Sequence, residues 1–197
     1  VPPDWCYVND FHAPHQPRAL SLPPGRATVL QRDMRTLVES AKREVRAAFE
    51  SDEYVAKREE VVKGFQDRSE QLVASINRLA EERGFVMRST PVGLMTIPVR
   101  NGKPLSEEEF AGLTQEEQAE IARKKDELQS EVEAMIRQGQ GLKKRAGEAV
   151  ERLDREVARY VLTPLVDDVR EHFADLPDVL AYLDEVQADM LDNVNLF

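Results

Sequence analysis

The side chains best suited to bind a metal ion are Cys6, His12 and His15, which lie close together in a proline-rich stretch. A structural zinc site needs four such ligands, and a catalytic one needs three with a water molecule. The spacing of these residues matches no zinc-finger pattern, so we expect no metal site in this chain. The third histidine, His172, is isolated near the end of a predicted helix. There its charged form would interact favourably with the helix dipole, so we expect a capping residue rather than a general base.

Patterns for phosphate binding or nucleophilic catalysis are missing from the sequence. The glycines do not form the Gly-x-x-x-x-Gly-Lys-Ser/Thr loop that binds nucleotide phosphates, and no serine has the context of a nucleophile elbow. Paired carboxylates such as Glu59 and Glu60 are better explained as solvated charges on a helix than as a glycosidase pair. We therefore predict no catalytic residue and no bound cofactor in this chain.

One short stretch between two charged tracts is rich in apolar residues and predicts a β-hairpin over residues 85–100. Two interpretations remain open. The apolar side chains either pack on themselves and on helix ends, or some stay exposed and contact unfolded polypeptide or a neighbouring subunit. Methionine suits adaptable contacts, and a sheet edge can add an extended peptide, although Pro91 and Pro98 would restrict which edge does so. The candidate contact residues are Phe85, Met87, Val92, Leu94, Met95 and Ile97.

Composition excludes several classes of partner. The 197 residues carry a formal charge of -10, which repels phosphate backbones, so we expect no nucleic acid partner. No apolar run approaches the roughly 20 residues that span a bilayer, so we expect no membrane contact. A single cysteine forbids an internal disulfide and indicates a reducing compartment, so we expect a cytoplasmic protein. Since the chain begins without methionine, we expect it to be a piece of a longer polypeptide.

Long helices must hold the hairpin in place. Apolar residues recur at three- and four-residue steps, which predicts helices over about 26–49, 52–83, 115–172 and 178–193. Ser51 or Asp52 can cap the second helix, and Gly84 can end it. Ahead of the helices, residues 1–25 form a proline-rich segment with two short strands, near 5–8 and 18–22. Two such strands make no stable sheet alone, so we expect them to complete an AAA+-like sheet or base elsewhere.

Heptad spacing predicts how two of these helices pack, as in a coiled coil. In the second helix, one register contains Val55, Val62, Ser69 and Ile76, and the other contains Phe65, Leu72 and Leu79. The predicted fold is mainly α: residues 26–197 form a long antiparallel helical (coiled-coil) hairpin with the small β-hairpin at its tip, after a short, partly β N-terminal segment. We expect Gly139, Gly141 and Gly147 to mark close helix approach or modest bending, and Pro164 to kink the helix.

The N-terminal residues resemble a known family. Residues 2–11 (PPDWCYVNDF), 14–20 (PHQPRAL) and 22–25 (LPPG) look like a bacterial family of Lon-type proteases, in which this segment runs into a long helical insertion. Later landmarks at 48–51 (AFES) and 175–183 (DLPDVLAYL) are similar too. Asp10 departs from the asparagine of the family pattern. The resemblance extends over essentially the whole chain.

The resemblance implies a position inside or beside an AAA+-like module, with the strand near residues 5–9 completing its sheet. It also implies a longer protein that cleaves peptide bonds with a Ser–Lys dyad in a C-terminal protease domain outside this chain, so no catalytic residue is carried over. ATP and Mg would be cofactors of that longer protein, although some relatives have lost the nucleotide-binding motifs. A homo-oligomeric ring that degrades unfolded proteins is the implied assembly.

Three functions stay open at this point. The first, which the apolar hairpin and the resemblance favour, is a non-catalytic region that recognises, holds or gates unfolded substrates for a Lon-like serine peptidase. The second is a structural coiled-coil module that assembles subunits and never touches substrate. The third is a chaperone-like helical hairpin that works without a protease.

Overall fold

A computed structural model describes residues 2–90 and 93–196 and has the mainly α architecture that the sequence predicts. Val92, one of the predicted contact residues, lies outside the described residues, and so does Pro91. The elements, in chain order, are β1 (Asp4–Val8), β2 (Arg18–Leu22), α1 (Arg26–Phe49), α2 (Asp52–Glu82), β3 (Phe85–Thr90), β4 (Gly93–Arg100), β5 (Lys103–Pro104), α3 (Glu107–Ala111), α4 (Gln115–His172), α5 (Pro177–Asp192) and a 3-10 turn (Val194–Leu196).

The long helices begin and end close to their predicted limits because local signals mark their ends. The Ser51 hydroxyl accepts a hydrogen bond from the Tyr54 N–H at 3.3 Å and so caps α2, as predicted. Thr114 and Glu117 cap α4 reciprocally, because each side chain accepts the backbone N–H of the other at 3.3 Å and 3.0 Å. The helix α4 runs through Pro164 without ending there. Among the described helices, none is long and apolar enough to cross a membrane.

Contacts divide the chain into two compact units. The first comprises the residues up to Glu59 together with those from Ala149 onward, and the second comprises Glu60–Glu148. Each unit has its own cluster of buried apolar residues. The hairpin lies in the second unit.

The core of the first unit is built from the N-terminal sheet and three helices. The strands β1 and β2 pair antiparallel, with Cys6 opposite Leu20. Leu20 and Leu22 are buried and join the cluster formed by α1, α5 and the C-terminal part of α4. The two short strands are therefore stabilised by packing on helices of their own unit. Their completion of another sheet stays a prediction.

Polar contacts also hold the N-terminal strands in place. Asp4 of β1 accepts the backbone N–H of Ala27 at 3.1 Å, in the first turn of α1, where a carboxylate suits the helix dipole. Arg18 of β2 donates two hydrogen bonds, at 2.9 and 3.0 Å, to the carboxylate of Glu185 in α5. The Arg18 guanidinium also lies 5.5 Å from the ring centroid of Tyr182. A bidentate pair of this kind fixes orientation as well as distance.

In the second unit α2 packs antiparallel on α4. Leu72 lies beside Gly139, and Arg83, the residue after the end of α2, contacts Glu127 and Glu131, which precede Gly139 in α4. The buried side chains of this unit are Ile76, Ala80, Phe85, Leu128 and Val132.

One of the two predicted seam registers of α2 is only partly correct. Val55 and Val62 are exposed, whereas Ile76 of the same register is buried. In the other register Leu72 and Leu79 pack against the core of the second unit, whereas Phe65 is half-buried and lies outside that cluster. The physical reason is the mismatch between 3.6 residues per turn and a seven-residue repeat, which lets a straight helix rotate a given register away from its partner.

The glycines of α4 differ in their surroundings, and this predicts different effects of alanine. A Cβ at position 139 would lie 3.1 Å from Leu72 Cδ2, which confirms close helix approach there, while a Cβ at position 147 would meet nothing within 4 Å. We expect Gly147→Ala to raise the free energy of unfolding by about 1 kcal/mol, the propensity gain in a helix interior. We expect Gly139→Ala to gain less, because Leu72 must move.

Chemical denaturation followed by far-ultraviolet circular dichroism measures both changes. The matched control makes the Gly139→Ala change in a chain that already carries Leu72→Ala: relative to Leu72→Ala alone, the crowding is relieved and alanine's propensity gain returns. Equal gains for the two single variants would contradict the close approach of α2 and α4 at Gly139.

Candidate functional site

Local turn chemistry sets the limits of the hairpin. Gly84 has a φ of 80° and ends α2 in a conformation that glycine adopts at little cost. Asn101 and Gly102, with φ of 53° and 77°, form the turn between β4 and β5. The predicted hairpin is confirmed and extended, because β5 makes a sheet in the order β3-β4-β5.

The register of β3 against β4 places the contact candidates on two faces. Side chains alternate along a strand, and residues that pair across two strands share a face. Phe85, Met87 and Leu94 therefore lie on one face, which we call the inner face. Met95 and Ile97 lie on the other, which we call the outer face.

The base of the inner face belongs to the core of the second unit. Phe85 is only 2% exposed and packs in the cluster that contains Ile76, Leu128 and Val132. Met87 is half-buried against the same cluster. Burial leaves the Phe85 ring no surface to offer a partner, so this residue is a structural element of the hairpin rather than a contact residue.

Beyond Met87 the inner face leaves a groove against α4. The groove has a volume of about 420 Å³. Leu94 from the hairpin and Ile136 from α4 both line it, and they are 48% and 37% exposed. Lys125 and Glu133 of α4 line it as well. The groove thus combines exposed aliphatic surface with a mixed polar helix face.

On the outer face Met95 is 53% exposed, and Ile97 is half-buried. Leu94 and Met95 are adjacent in the chain but lie on opposite faces, so apolar surface is exposed on both sides of the hairpin. Large apolar side chains exposed together, rather than singly, are typical of interaction sites. Of the predicted contact residues, Leu94 and Met95 are the ones that the structure leaves most accessible among those it describes.

The hairpin is basic within an acidic chain. Residues 84–106 contain Arg88, Arg100 and Lys103 and no aspartate or glutamate, whereas the whole chain has a formal charge of -10. Arg100 contacts Glu117 of α4 at 3.2 Å, while Arg88 is exposed beside Met95, its partner across the two strands. The local field around Arg88 therefore favours neutral or acidic partners.

The proline-rich stretch that holds Cys6, His12 and His15 forms a turn rather than a ligand set. Asp10 accepts the backbone N–H groups of His12 and Ala13 at 2.9 and 3.1 Å, and these hydrogen bonds lower the pKa of its carboxyl. Burial raises the pKa of the Cys6 thiol, with the nearby Asp4 charge acting in the same direction. In residues 2–90 and 93–196 no group of three or more His, Cys, Asp or Glu residues is placed to hold a metal ion.

His172 has a partner that sequence reasoning missed. Its Nδ1 lies 2.9 Å from Oδ2 of Asp33, a buried carboxylate on α1. Arg32 also donates to Asp33, at 3.1 Å. The sequence signal for Asp33 was its position within the apolar stripe of α1, where an unpaired carboxylate would be costly. A pair so widely separated in sequence could not be assigned from that signal.

A second missed contact joins α2 to α4 in the first unit. The Tyr54 hydroxyl donates a hydrogen bond of 2.7 Å to the Asp154 carboxylate, and the Tyr54 ring packs edge-on against Phe49 at 4.8 Å between centroids. Burial and the Asp154 charge together raise the pKa of Tyr54 to about 12. This tyrosine is a structural donor, because its hydroxyl joins α2 to α4 through the hydrogen bond to Asp154.

Comparison with known proteins bears on the N-terminal part of the chain. Residues 4–37 match the family model described as the Lon-like LonC helical domain. The matched residues comprise β1, β2 and the first half of α1. No curated protein matches the chain. The match confirms the resemblance to Lon-type proteases over residues 4–37, a short part of the chain.

Proposed function

We propose that this chain is a non-catalytic substrate-recognition and gating region of a Lon-like peptidase that degrades unfolded proteins. The hairpin is its contact element. The peptidase activity, with its Ser–Lys dyad, belongs to a domain outside this chain, and so do any ATP and Mg sites. The longer protein works in the cytoplasm as a homo-oligomeric ring.

The observation that carries this proposal is the exposure of Leu94 and Met95 on a hairpin anchored by the buried Phe85. An apolar side chain of this size gains about 1.5–3 kcal/mol on full burial, so leaving two of them half-exposed on one hairpin favours a binding role. Unfolded polypeptides are the partners that expose apolar side chains without a fixed shape. Methionine adapts to such partners because its side chain is flexible and polarisable.

The match of residues 4–37 to the Lon-like LonC helical domain supports the peptidase part of the proposal. In such a protein, a region that lacks catalytic groups can act on substrate only by binding it or by controlling its access. The basic character of the hairpin agrees with this role, because it offsets the net negative charge that would otherwise repel acidic unfolded chains.

The test is binding of an unfolded probe, reduced and carboxymethylated α-lactalbumin labelled with a fluorophore. We expect the variant with Leu94→Ser and Met95→Ser to bind the probe at least about tenfold more weakly, since two half-exposed apolar contacts are lost. Fluorescence anisotropy measures the dissociation constant. The far-ultraviolet circular dichroism spectrum should not change, because neither side chain is buried.

The matched control is Val73→Ser, which changes an equally exposed apolar residue (54%) on α2. We expect this variant to bind the probe as the original chain does. If all three serine substitutions weaken binding equally, the hairpin has no special role. If none does, or if the chain does not bind the probe, the structural coiled-coil module becomes the better account.

A further inference from the structure

The strand β3 forms one edge of the sheet, and no described strand pairs with its outer side. The strand β4 lies in the middle but pairs with β5 only at Val99 and Arg100. An edge strand presents unpaired N–H and C=O groups, which another extended chain can use. Natural proteins often block such edges with proline, yet the residues of β3 include none.

The pattern of hydrogen bonds between β3 and β4 shows which backbone groups of β3 point away from β4. The Val99 N–H donates to the Gly84 oxygen at 2.8 Å, so these opposed residues form a hydrogen-bonded pair. Hydrogen-bonded and non-hydrogen-bonded pairs alternate along an antiparallel ladder. With the observed register, the N–H and C=O groups of Met87 and Ser89 therefore point away from β4.

The proline of the described hairpin lies where it does not block this edge. Pro98 is in β4, opposite Phe85, at a position whose backbone points away from β3. The Leu105 N–H donates to the Pro98 oxygen at 2.8 Å, which agrees with a Pro98 backbone that points away from β3. Because Pro98 lacks an N–H, the side of β4 that points away from β3 has one hydrogen-bond donor fewer. The edge of β3 keeps its donors.

Apolar and charged side chains beside the β3 edge favour one kind of occupant. Leu94 lies opposite Ser89 and Met95 opposite Arg88 in the register. A strand added to β3 would lie about 4.8 Å from β3 and about 10 Å from β4, within reach of long side chains on both faces. Because residues 84–106 carry three basic residues and no acidic one, the added strand should be neutral or acidic.

We propose that the unfolded polypeptide binds in an extended conformation, as an additional strand along the edge of β3. Its main chain pairs with the N–H and C=O groups of Met87 and Ser89, and its side chains contact Leu94 and Met95. Main-chain pairing makes recognition largely independent of sequence, and the basic side chains disfavour positively charged segments. This inference rests on the proposed function, since it specifies how the same hairpin binds the same class of substrate.

Proline substitutions test whether the unfolded chain pairs with the edge of β3. Ser89→Pro removes an N–H that points away from β4, and so it should leave the hairpin intact. We expect Ser89→Pro to weaken binding of carboxymethylated α-lactalbumin about tenfold, because main-chain pairing is lost at the centre of the added strand. Two matched controls should bind the probe within about twofold of the original chain. Ser89→Ala removes only the hydroxyl, and Thr96→Pro removes an N–H that points away from β3.

A second measurement uses the unchanged chain, so it does not depend on the fold of a variant. Amide hydrogen exchange by NMR should show that the probe slows exchange of the Met87 and Ser89 N–H groups at least tenfold, while the Thr96 N–H is unaffected. Binding of the probe without protection at Met87 and Ser89 overturns the added strand. So does weakening by Thr96→Pro but not by Ser89→Pro.

The two proposals fail in different ways. If the Leu94 and Met95 variant loses binding while Ser89→Pro binds normally, side-chain contact stands and strand addition is wrong. If Ser89→Pro loses binding and the Leu94 and Met95 variant does not, β3 is an edge that pairs with chains of any kind, and the apolar contact is wrong. Loss in both variants, with protection at Met87 and Ser89, supports both.

Discussion

Phe85→Ala is expected to lower the free energy of unfolding by about 3–5 kcal/mol, the largest effect of any single change in the hairpin. Phe85 is the first residue of β3 and is 2% exposed, in contact with the cluster that contains Ile76 and Leu128. Its removal leaves a cavity between the hairpin and the helices that the surrounding chain can fill only in part. Urea denaturation followed by far-ultraviolet circular dichroism measures the change.

The fluorescence of Trp5 is a poor probe for this experiment, because that residue is exposed and lies in the first unit. Met95→Ala is the matched control within the same hairpin. It truncates an exposed residue of similar size and should cost less than about 0.5 kcal/mol. Similar losses for the two variants would contradict the division into an inner and an outer face.

Raising the pH from 10 to 12 is expected to reduce stability through Tyr54, by about 1 kcal/mol once partial exposure is allowed for. The ordinary pKa of the phenol is 10.0, and burial with the Asp154 carboxylate raises it to about 12 in the folded chain. Between these pH values the unfolded chain loses a proton that the folded chain keeps. The contribution of Tyr54 is therefore complete below pH 10 and is lost as the pH rises through 12.

Two measurements check this prediction. The near-ultraviolet absorbance of phenolate, compared between the original chain and Tyr54→Phe, should isolate one tyrosine that ionises near pH 12. Stability measured against pH should fall less steeply between pH 10 and 12 in Tyr54→Phe. Asp154→Asn is the matched control: it keeps a hydrogen-bond acceptor and removes the charge, so it should bring the pKa of Tyr54 closer to its ordinary value. A Tyr54 that ionises near pH 10 in the original chain would exclude the contact with Asp154.

The limits of the elements could be predicted from sequence because their signals are local. Ser51 caps α2, Gly84 ends it, and Asn101 with Gly102 forms a turn that needs left-handed backbone. Each signal depends on a few neighbouring residues, which stay neighbours whatever the rest of the chain does. The same holds for the heptads of α2 and α4, which predicted two helices with narrow apolar seams.

The packing of those seams was less predictable. Val62 and Leu72 are both apolar residues at heptad positions of α2, yet Val62 is exposed and Leu72 packs against the core. Periodicity identifies the apolar positions of a helix, but the position of the neighbouring helix decides which of them are covered. Gly139 shows the same limit, since only the distance to Leu72 distinguishes it from Gly147.

The candidate site, like the helix packing, could be predicted from sequence only in part. Sequence alone identified the hairpin as the unusual apolar surface and placed Phe85 and Met95 in one set of contact residues. The strand register then put these two side chains on opposite faces, one buried and one exposed. A slip of one residue would have exchanged the faces, so no property of either residue could decide its role.

Long-range polar contacts were beyond sequence reasoning altogether. Asp33 and His172 are 139 positions apart in the chain, and Tyr54 and Asp154 are 100 positions apart. The sequence by itself determined the helices, the hairpin and the similarity of residues 4–37 to the Lon-like LonC helical domain, because these depend on neighbours along the chain. Only the tertiary structure decided which apolar residues are exposed, which strand edge is free and which charges are paired, because these depend on neighbours in space.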